Sequence, residues 1–413
     1  MIPRPDYTDK LYTFKSSDMV KVLIGVRRCG KSSLLKLFKQ NLLSQGLSDN
    51  QFIEINFEYP GFLKLQEPQE FYRYVKDRII SGQEMYLFVD EVQELKEWAK
   101  TINGIRAEFP VDIYVTGSNS RMFIGEHLTY LSGRYLRIEV FPLSFKEFLA
   151  FRGIDNPDKI GFHSIEQLFS DYVVGGSFPA VVLSDNAAIR ESILDGLFES
   201  VFTRDILLRG RIQNEAAFLR VARYVLDNVG NHTSATSIAN TLKSGGHSIS
   251  IDTVENYLTL MSRAHLLYSC NRYDIRGKEH LRTNGKHYAV DSGLKNRVLG
   301  QSESNRGRVT ENIVYLELLR RGFEVSTGVF SRIQTEIDFV TTRQGRRYYI
   351  QVSETVLDEA TRSREFEPFS LLNDGYPRIL ITKDNYDYSQ DGVRHVNFYE
   401  FLLNQNSIEP LTG

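Results

Sequence analysis

The sequence predicts an α/β fold whose N-terminal part is a parallel sheet with helices on both faces, and two observations support this prediction. Short apolar runs of strand length recur through the first 150 residues, at 20–24, 51–56, 85–89 and 111–116. The segments between these runs are long enough to hold helices, and strands joined by such crossovers pair in parallel. Parallel strands are buried on both faces and are therefore rich in apolar residues, as most of these runs are.

After about residue 150 the pattern changes from short strands to helices, and the length of 413 residues exceeds that of one ordinary domain. Helices are predicted over 166–174 and 189–209. We therefore predict four parts, which are an α/β core, a helical lid or linker, a helix–turn–helix unit and a mixed α/β unit. Their predicted bounds are 1–150, 151–212, 213–305 and 306–413.

Composition narrows the class of protein. Hydrophobic residues make up 41% and charged residues 25%, which is typical of globular domains. Apolar runs stop far short of the roughly 20 residues that span a bilayer, so no membrane segment is expected. The N-terminus lacks the apolar stretch of a secretory signal, and the two cysteines build no disulfide framework. A cytoplasmic location is the expectation.

Charge is unevenly distributed, although the formal net charge is only −2. Residues 201–310 carry 16 Lys and Arg against 9 Asp and Glu, an excess of +7. Two interpretations stay open: contact with a polyanion such as DNA, or a solvated surface that faces an acidic neighbouring domain.

A phosphate-binding motif follows the first apolar run. The segment 25–32 fits G-x-x-x-x-G-K-S and lies between a strand and an amphipathic helix, which is the context this motif requires. Amides at the helix N-terminus would face the phosphates, Lys31 would reach the β and γ groups, and the hydroxyl of Ser32 would bind magnesium. A lowered pKa and sensitivity to oxidation are one hypothesis for Cys29, and a variable filler position is the other. The predicted nucleotide-binding residues are Gly25, Val26, Arg27, Arg28, Cys29, Gly30, Lys31, Ser32 and Ser33.

Two adjacent carboxylates end the third apolar run. Asp90 is predicted to hold magnesium through its water shell, while Glu91 is placed to polarise an attacking water. Two solvated acids that cap the next helix are the structural alternative. No Asn-Lys-x-Asp stretch is present, which favours ATP over GTP. The sequence therefore predicts ATP hydrolysis with ATP and Mg²⁺ as cofactors.

Polar residues also follow the fourth apolar run, where ligands bind in open α/β sheets. Asn119, or else Ser118, is a candidate to contact the γ-phosphate or the water, with an ordinary polar turn as the alternative. Arg121 and Arg134 are candidates for a cation that stabilises the transition state. Since a neighbouring subunit often supplies such an arginine, a homo-oligomer is expected, although simple surface pairing explains these residues equally well.

Together these residues resemble the prokaryotic AAA+ ATPases of the archaeal-type ATPase group. The resemblance rests on 25–32, on Asp90-Glu91, on 116–121 and on 132–134 with 141–145, and it continues through 175–179 and 286–293. It implies a P-loop NTPase (AAA+) core with a helical lid, an Asn119-type sensor and oligomerisation. It further implies a winged helix and a terminal restriction-endonuclease-like domain of the PD-(D/E)XK type.

The residues of the third part agree with a winged helix, because helices are predicted at 234–242 and from Asp252. The second of these helices has no basic residue before Arg263, which makes it a poor phosphate contact. Double-stranded DNA contact through 204–308 is a hypothesis, and protein–protein docking is its alternative. The basic residues that would carry the DNA contact are Arg272, Arg276, Lys278, Arg282 and Lys286.

The terminal part lacks two groups that active nucleases of its type carry. Glu311 and Asp338 are candidate metal ligands, but the expected Glu-x-Lys triplet is here Gln351-Val352-Ser353. Gln351 loses a ligand charge, and Ser353 leaves no cation to position a water. Glu354 and Lys383 are the residues that would have to substitute in space. Nuclease activity is therefore doubtful.

The sequence thus predicts a magnesium-dependent ATPase whose nucleotide state drives the C-terminal half, with DNA as a hypothetical partner. Two alternatives stay open. One is an ATP-driven nuclease that uses Asp338 and Glu311. The other is a nucleotide-gated signalling or scaffolding switch with little turnover.

Overall fold

The computed structural model describes residues 1–118, 130–159, 161–208, 210, 212–300, 306–330 and 335–409. The chain forms two compact units. The first consists of Met1–Pro142, Ser200–Asp205 and Arg263–His265. The second consists of Leu143–Glu199, Ile206–Ser262 and Leu266–Gly413. This division differs from the four predicted parts, because two short segments from the later chain belong to the first unit.

The first unit is built on a five-stranded parallel sheet with the order β2-β3-β4-β1-β5. Its strands are β1 (Val20–Ile24), β2 (Phe52–Asn56), β3 (Met85–Asp90), β4 (Val111–Gly117) and β5 (Tyr135–Glu139). The predicted parallel α/β sheet and its four strands are confirmed. The edge strand β5 was not predicted, because its polar and apolar residues alternate and only Ile138 is buried.

The two faces of this sheet pack differently, since successive side chains point to opposite sides. One face is mainly aliphatic and includes Val22, Leu87 and Val115. On the other face, Phe38 lies 5.2 Å from the ring of Tyr114 and 6.3 Å from that of Phe88. Helices cover both faces, at Pro5–Phe14, Lys31–Ser44, Pro68–Lys76 and Trp98–Glu108.

Helices make up the first part of the second unit. The helices predicted over 166–174, over 234–242 and from Asp252 are confirmed, while the one predicted over 189–209 continues from an α-helix into a π-helix at Ser200–Leu208. The α-helices along this part of the chain are Phe145–Phe151, Phe162–Gly175, Pro179–Val182, Ala187–Glu199, Glu215–Asp227, Ala235–Ser244, Ile251–Arg263 and Ser292–Leu299.

A mixed seven-stranded sheet forms the rest of the second unit, with the order β12-β11-β10-β9-β8-β6-β7. Its strands are β6 (Leu267–Asp274), β7 (Glu279–Ala289), β8 (Glu324–Phe330), β9 (Thr335–Arg343), β10 (Arg346–Val352), β11 (Arg378–Thr382) and β12 (Val393–Asn397). The helices of this region are Arg306–Arg320, Glu359–Ser370 and Phe398–Leu403.

This sheet crosses the predicted boundary at residue 305. The β6–β7 hairpin, which carries the basic residues of the predicted third part, joins the C-terminal strands because β6 pairs in parallel with β8. Hydrogen bonds between strands far apart in sequence decide such an assignment, and local pattern does not show them. A hairpin turn at Gln344-Gly345 joins β9 to β10, and both residues have positive φ.

The helices within the described ranges are each too short or too polar to cross a membrane.

Candidate functional site

The loop after β1 is folded as an anion cradle. A Cβ atom on Gly25, which has φ 147°, would lie 2.0 Å from the carbonyl oxygen of Val140, so only glycine fits there. Gly30 has φ 107° and precedes the first residue of the next helix. The buried Lys31 donates from Nζ to the carbonyl oxygens of Gly25, at 3.0 Å, and Val26, at 3.1 Å. The loop thus presents a helix N-terminus next to a held ammonium group.

The carboxyl ends of β1, β3 and β4 meet at one edge, because the strands are parallel and β4 lies between the other two. This edge brings the phosphate-binding loop, Asp90 and Ser118 to the same side of the sheet, as the sequence predicted. Ser32 is half-buried and Ser33 is exposed in the first turn of the helix after the loop.

Thr116 bonds to the side chain of Asp90 and to the backbone of Glu91. Its hydroxyl donates to Oδ1 of Asp90 and accepts a hydrogen bond from the backbone N–H of Glu91 at 3.1 Å. Asn56 donates to the other oxygen of Asp90 at 3.0 Å. Sequence reasoning missed both roles, because a threonine inside a strand and an asparagine at a strand end carry no distinctive pattern. One hydroxyl thus fixes the carboxylate of Asp90 and the backbone of Glu91.

Glu91 is held in a left-handed conformation with φ 54°, which turns the chain sharply away from β3. Its carboxylate accepts hydrogen bonds from the hydroxyl of Ser118, at 3.2 Å, and from the amide of Gln93. Ser118 is fully buried. Its hydroxyl therefore positions Glu91, which differs from the predicted direct contact with phosphate or water.

The oxygen donors at this edge fit a magnesium ion. Mg²⁺ prefers oxygen ligands and keeps several of its waters. Asp90 accepts one hydrogen bond at each oxygen, which leaves lone pairs for water bound to a metal. The hydroxyl of Ser32 would supply the second donor.

Arg27, inside the loop, makes an ion pair that the sequence did not indicate. Its Nε lies 3.2 Å from Oδ2 of Asp205, whose side chain is fully buried, and its Nη1 lies 3.6 Å from the exposed Glu58. Burial alone would lower the pKa of Arg27, but the charge of Asp205 and its hydrogen bond raise it. Arg27 therefore carries its positive charge within the phosphate-binding loop.

A second arginine braces the loop from the N-terminus of the chain. The buried Arg4 donates from Nη1 to the carbonyl oxygen of Cys29 at 2.9 Å and from Nη2 to that of Phe141 at 3.0 Å. Cys29 is fully buried, and burial raises the pKa of its thiol against the opposing charges of Lys31 and Arg4. The hypothesis of a low-pKa, oxidation-sensitive Cys29 is therefore wrong, because burial outweighs the nearby positive charge.

The second unit contains an ion-pair cluster around the buried Lys286, here called the Lys286 cluster and formed by Lys286, Glu311, Glu336 and Asp338. The Nζ atom of Lys286 lies 3.0 Å from Glu311, 3.1 Å from Glu336 and 3.6 Å from Asp338. Burial alone would lower the pKa of Lys286, but the three carboxylates raise it. A cation is therefore present where the sequence predicted none.

The remaining residues of the predicted nuclease-like site are used in other contacts. Gln351 accepts from the backbone N–H of Asp338 at 3.2 Å and donates to the buried Glu365 at 2.8 Å. Ser353 donates to a backbone carbonyl oxygen at 3.2 Å. Lys383 donates to Glu354 at 2.8 and 3.0 Å, so these two residues, considered as substitutes, pair with each other.

Two segments of the second unit that carry the family resemblance, 175–179 and 286–293, meet in space. The carboxylate of Asp291 accepts from both the backbone N–H and the hydroxyl of Ser177, each at 2.6 Å, and from the N–H of Leu294 at 2.7 Å. A Cβ on Gly293 would lie 2.5 Å from the Cα of Gly176. Both motifs thus serve close packing and a helix N-cap.

Comparison with known proteins places this geometry in a family. A family model described as an AAA domain matches residues 17–149, and a domain of unknown function (DUF8612) matches residues 166–305. An uncharacterised protein of Haemophilus influenzae is 36% identical over 98% of this chain and 99% of its own length. An uncharacterised protein of Methanocaldococcus jannaschii is 32% identical over 85% of this chain and 78% of its own. The chain belongs to the same family as these two uncharacterised proteins, and its residues 17–149 match an AAA domain.

Two solved structures resemble the AAA-domain protein at low identity. The Walker-type ATPase of Pyrococcus abyssi is 16% identical, with a TM-score of 0.48 over 72% of this chain and 96% of its own. The Aeropyrum pernix ORC1 protein in complex with DNA is 11% identical, with a TM-score of 0.33 over 72% of this chain and 92% of its own. At these scores neither likeness carries an argument about function.

Of the predicted sensor and arginine residues of the AAA domain, Arg134 lies within the described part of the chain. Asn119 and Arg121 lie outside the described residues. Arg134 is exposed and directly precedes β5, at the amino end of the sheet, whereas the phosphate-binding loop follows the carboxyl end of β1. Arg134 therefore does not belong to the phosphate site of its own chain, and a role toward a neighbouring subunit stays a prediction.

The predicted basic cluster of the second unit is divided by burial. Arg276 and Lys278 are exposed in the turn between β6 and β7, and Arg272 is half-buried. Lys286 is 2% exposed and neutralised by carboxylates, so its inclusion in a DNA-contacting cluster was wrong. A β-strand alternates its faces, and the sequence alone did not show which face of β7 is covered.

Proposed function

We propose that this protein binds ATP with Mg²⁺ and hydrolyses it to ADP and phosphate at the edge of the five-stranded sheet. The observation that carries the proposal is the hydrogen-bonded set Asp90–Thr116–Glu91 beside the phosphate-binding loop. A bound Mg²⁺ would neutralise charge on the phosphates. Ser32 and Asp90 are the residues that would hold it.

Each protein group has a separate task in this reaction. The loop amides and Lys31 bind the β- and γ-phosphates and favour charge that builds up on them. Glu91 orients a water and accepts its proton while the water oxygen forms a bond to the γ-phosphorus. The bond from that phosphorus to the β–γ bridging oxygen breaks, and ADP leaves. Ser118 and Gln93 keep the Glu91 carboxylate in place.

We further propose that nucleotide state acts on the C-terminal half, and that DNA is a partner of that half. The excess charge of 201–310 and the exposed Arg276 and Lys278 support this partner. The same proposal includes the winged-helix and nuclease-like assignments, a sensor role of Asn119 and a cytoplasmic location. It also includes a homo-oligomer in which Arg134 acts on a neighbouring subunit.

Steady-state hydrolysis and nucleotide binding test the proposal. We expect Glu91→Gln to lower kcat by about 10²- to 10⁴-fold while ATP affinity is kept, since only proton transfer is lost. Lys31→Ala should instead weaken ATP binding, whereas Lys36→Ala, an exposed lysine of the same helix, should do neither. Equal hydrolysis by wild type and Glu91→Gln would refute the assignment of the base.

The same assay with double-stranded DNA distinguishes the partner. Stimulation by DNA that the Arg276→Ala and Lys278→Ala double variant reduces would support a nucleic-acid-coupled ATPase. A hydrolysis rate that DNA does not change would favour a motor that acts with a protein partner. Negligible hydrolysis with tight ATP binding would favour a nucleotide-gated switch.

A further inference from the structure

The Lys286 cluster holds three carboxylates around one ammonium group. Lys286 lies on β7, Glu311 on the helix Arg306–Arg320, and Glu336 and Asp338 on β9, so the cluster ties three elements together. The side chain of Lys286 is 3% exposed. An ammonium group has three donors, and here three carboxylates lie within 3.6 Å of it.

Further groups close the cluster around Glu311 and Glu336. Tyr288 donates from its hydroxyl to Glu311 at 2.7 Å, and Nε2 of His232 lies 2.6 Å from Glu336. Gly230 has φ 80°, and a Cβ there would lie 3.3 Å from Oε2 of Glu311. The carboxylates are therefore hydrogen-bonded and closely packed, which a buried ion pair requires.

This arrangement does not fit the divalent metal that the nuclease-like resemblance implies. A metal needs carboxylate oxygens that converge on a free position, but the Nζ atom of Lys286 lies where Glu311 and Asp338 converge. Gln351 uses its side-chain oxygen on the backbone of Asp338 and its nitrogen on Glu365. Within the described ranges, no group of three or more His, Cys, Asp or Glu side chains is arranged to hold a metal ion.

We propose that Lys286 is a permanent internal cation that takes the place of the divalent metal in this nuclease-like centre. The centre is then an ion-pair core that holds β7, β9 and the helix Arg306–Arg320 together, and it cleaves no nucleic acid. This inference stands apart from the ATPase proposal, because it concerns residues of the second unit alone.

Removal of the ammonium group tests the substitution directly. Lys286→Ala leaves three carboxylates without their cation, so we expect its melting temperature to fall by several degrees. Mn²⁺, a divalent ion that carboxylates bind, should then restore much of that loss, because an ion that binds only the folded state stabilises it. The full-length protein is measured without nucleotide, with and without MnCl₂.

Two variants control this measurement. Lys383→Ala removes another paired lysine of the second unit, the partner of Glu354, and Mn²⁺ should not restore its stability. In the double variant Lys286→Ala and Asp338→Asn, recovery by Mn²⁺ should be lost because a ligand charge is gone. Recovery in Lys383→Ala equal to that in Lys286→Ala, or none in Lys286→Ala, would overturn the proposal.

The unsubstituted centre gives a second test that does not depend on the folding of Lys286→Ala. We expect Mn²⁺ binding to the nucleotide-free wild type to be the same as in Asp338→Asn, and plasmid DNA to stay intact with Mg²⁺ or Mn²⁺. Mn²⁺ binding that Asp338→Asn abolishes, or cleavage that depends on Asp338, would show that the centre accepts a metal and would overturn the proposal.

Discussion

Arg27 and Asp205, 178 residues apart in the sequence, form an ion pair with 3.2 Å between Nε and Oδ2. Arg27 lies in the phosphate-binding loop, and Asp205 lies in the π-helix Ser200–Leu208, whose residues Ser200–Asp205 belong to the first unit. Through this pair the loop after β1 is bonded to a segment from much later in the chain, and both belong to the first unit.

Neutralising Asp205 is expected to destabilise the protein. Asp205→Asn leaves a largely buried guanidinium without its closest carboxylate, so the free energy of unfolding should fall by about 1–3 kcal/mol. Glu58→Gln removes the exposed partner of Arg27, at 3.6 Å, and should change stability by less than about 1 kcal/mol. Urea unfolding measures both. Equal losses in the two variants would contradict the assignment of Asp205 as the stabilising partner.

Thr116 is expected to act as a positioning residue for hydrolysis. Thr116→Val keeps the shape but removes the hydroxyl that contacts Asp90 and Glu91. Because the charge-assisted hydrogen bond to Asp90 contributes about 1.5–3 kcal/mol, kcat should fall about tenfold or more. ATP hydrolysis kinetics should show little change in KM, and Thr116→Ser should recover most of the rate. A loss that Thr116→Ser shares with Thr116→Val would indicate a packing role instead.

His287 is expected to make the stability of the protein depend on pH. His287 is half-buried, and the loss of hydration lowers its pKa from 6.5 to about 4. Between pH 6.5 and about pH 4 the unfolded chain binds more protons at His287 than the folded protein does. The stability that neutral His287 contributes is therefore lost as the pH falls through this range. His287→Gln should flatten this part of the profile of urea midpoints against pH. The exposed His163→Gln is the control, with a side chain 98% exposed. If the urea midpoint of His287→Gln changed with pH as steeply as that of the wild type, the imidazole of His287 would not be the source of the pH dependence.

Both cysteines are expected to be unreactive in the folded protein. Cys29 and Cys270 are buried. Burial raises the pKa of the Cys29 thiol, and it raises the pKa of the Cys270 thiol to about 12. Since the thiolate is the reactive form, a thiol-specific reagent such as Ellman's reagent should label neither without denaturant and both in its presence. Rapid labelling of one thiol under native conditions, absent in Cys29→Ala, would restore the redox hypothesis for Cys29.

The part of the site that could be predicted from sequence is the part encoded by contiguous residues. The strand, glycine and lysine pattern of 20–32 requires a particular local backbone, and the carboxylates Asp90 and Glu91 follow a strand that is apolar throughout. Parallel pairing then brings these segments to one edge. Thr116, by contrast, looks like any strand residue until its hydroxyl is seen between the two acids.

The Lys286 cluster shows why the rest could not be predicted. Its residues belong to β7, β9 and the intervening helix. The sequence alone suggested two separate features, which were a basic surface and a nuclease-like acidic site that lacks a cation. The parallel pairing of β6 with β8 and the antiparallel pairing of β8 with β9 bring them together. No local periodicity encodes these pairings.

The sequence by itself determined the parallel α/β sheet, the phosphate-binding loop and the pair of acids, because short-range backbone geometry and burial impose those residue patterns. The tertiary structure decided which charges are neutralised. It paired Arg27 with Asp205, buried the thiol of Cys29 and enclosed Lys286 among carboxylates. The physical reason is that electrostatic partners are set by distance in space and by exclusion of water, and neither follows from separation along the chain.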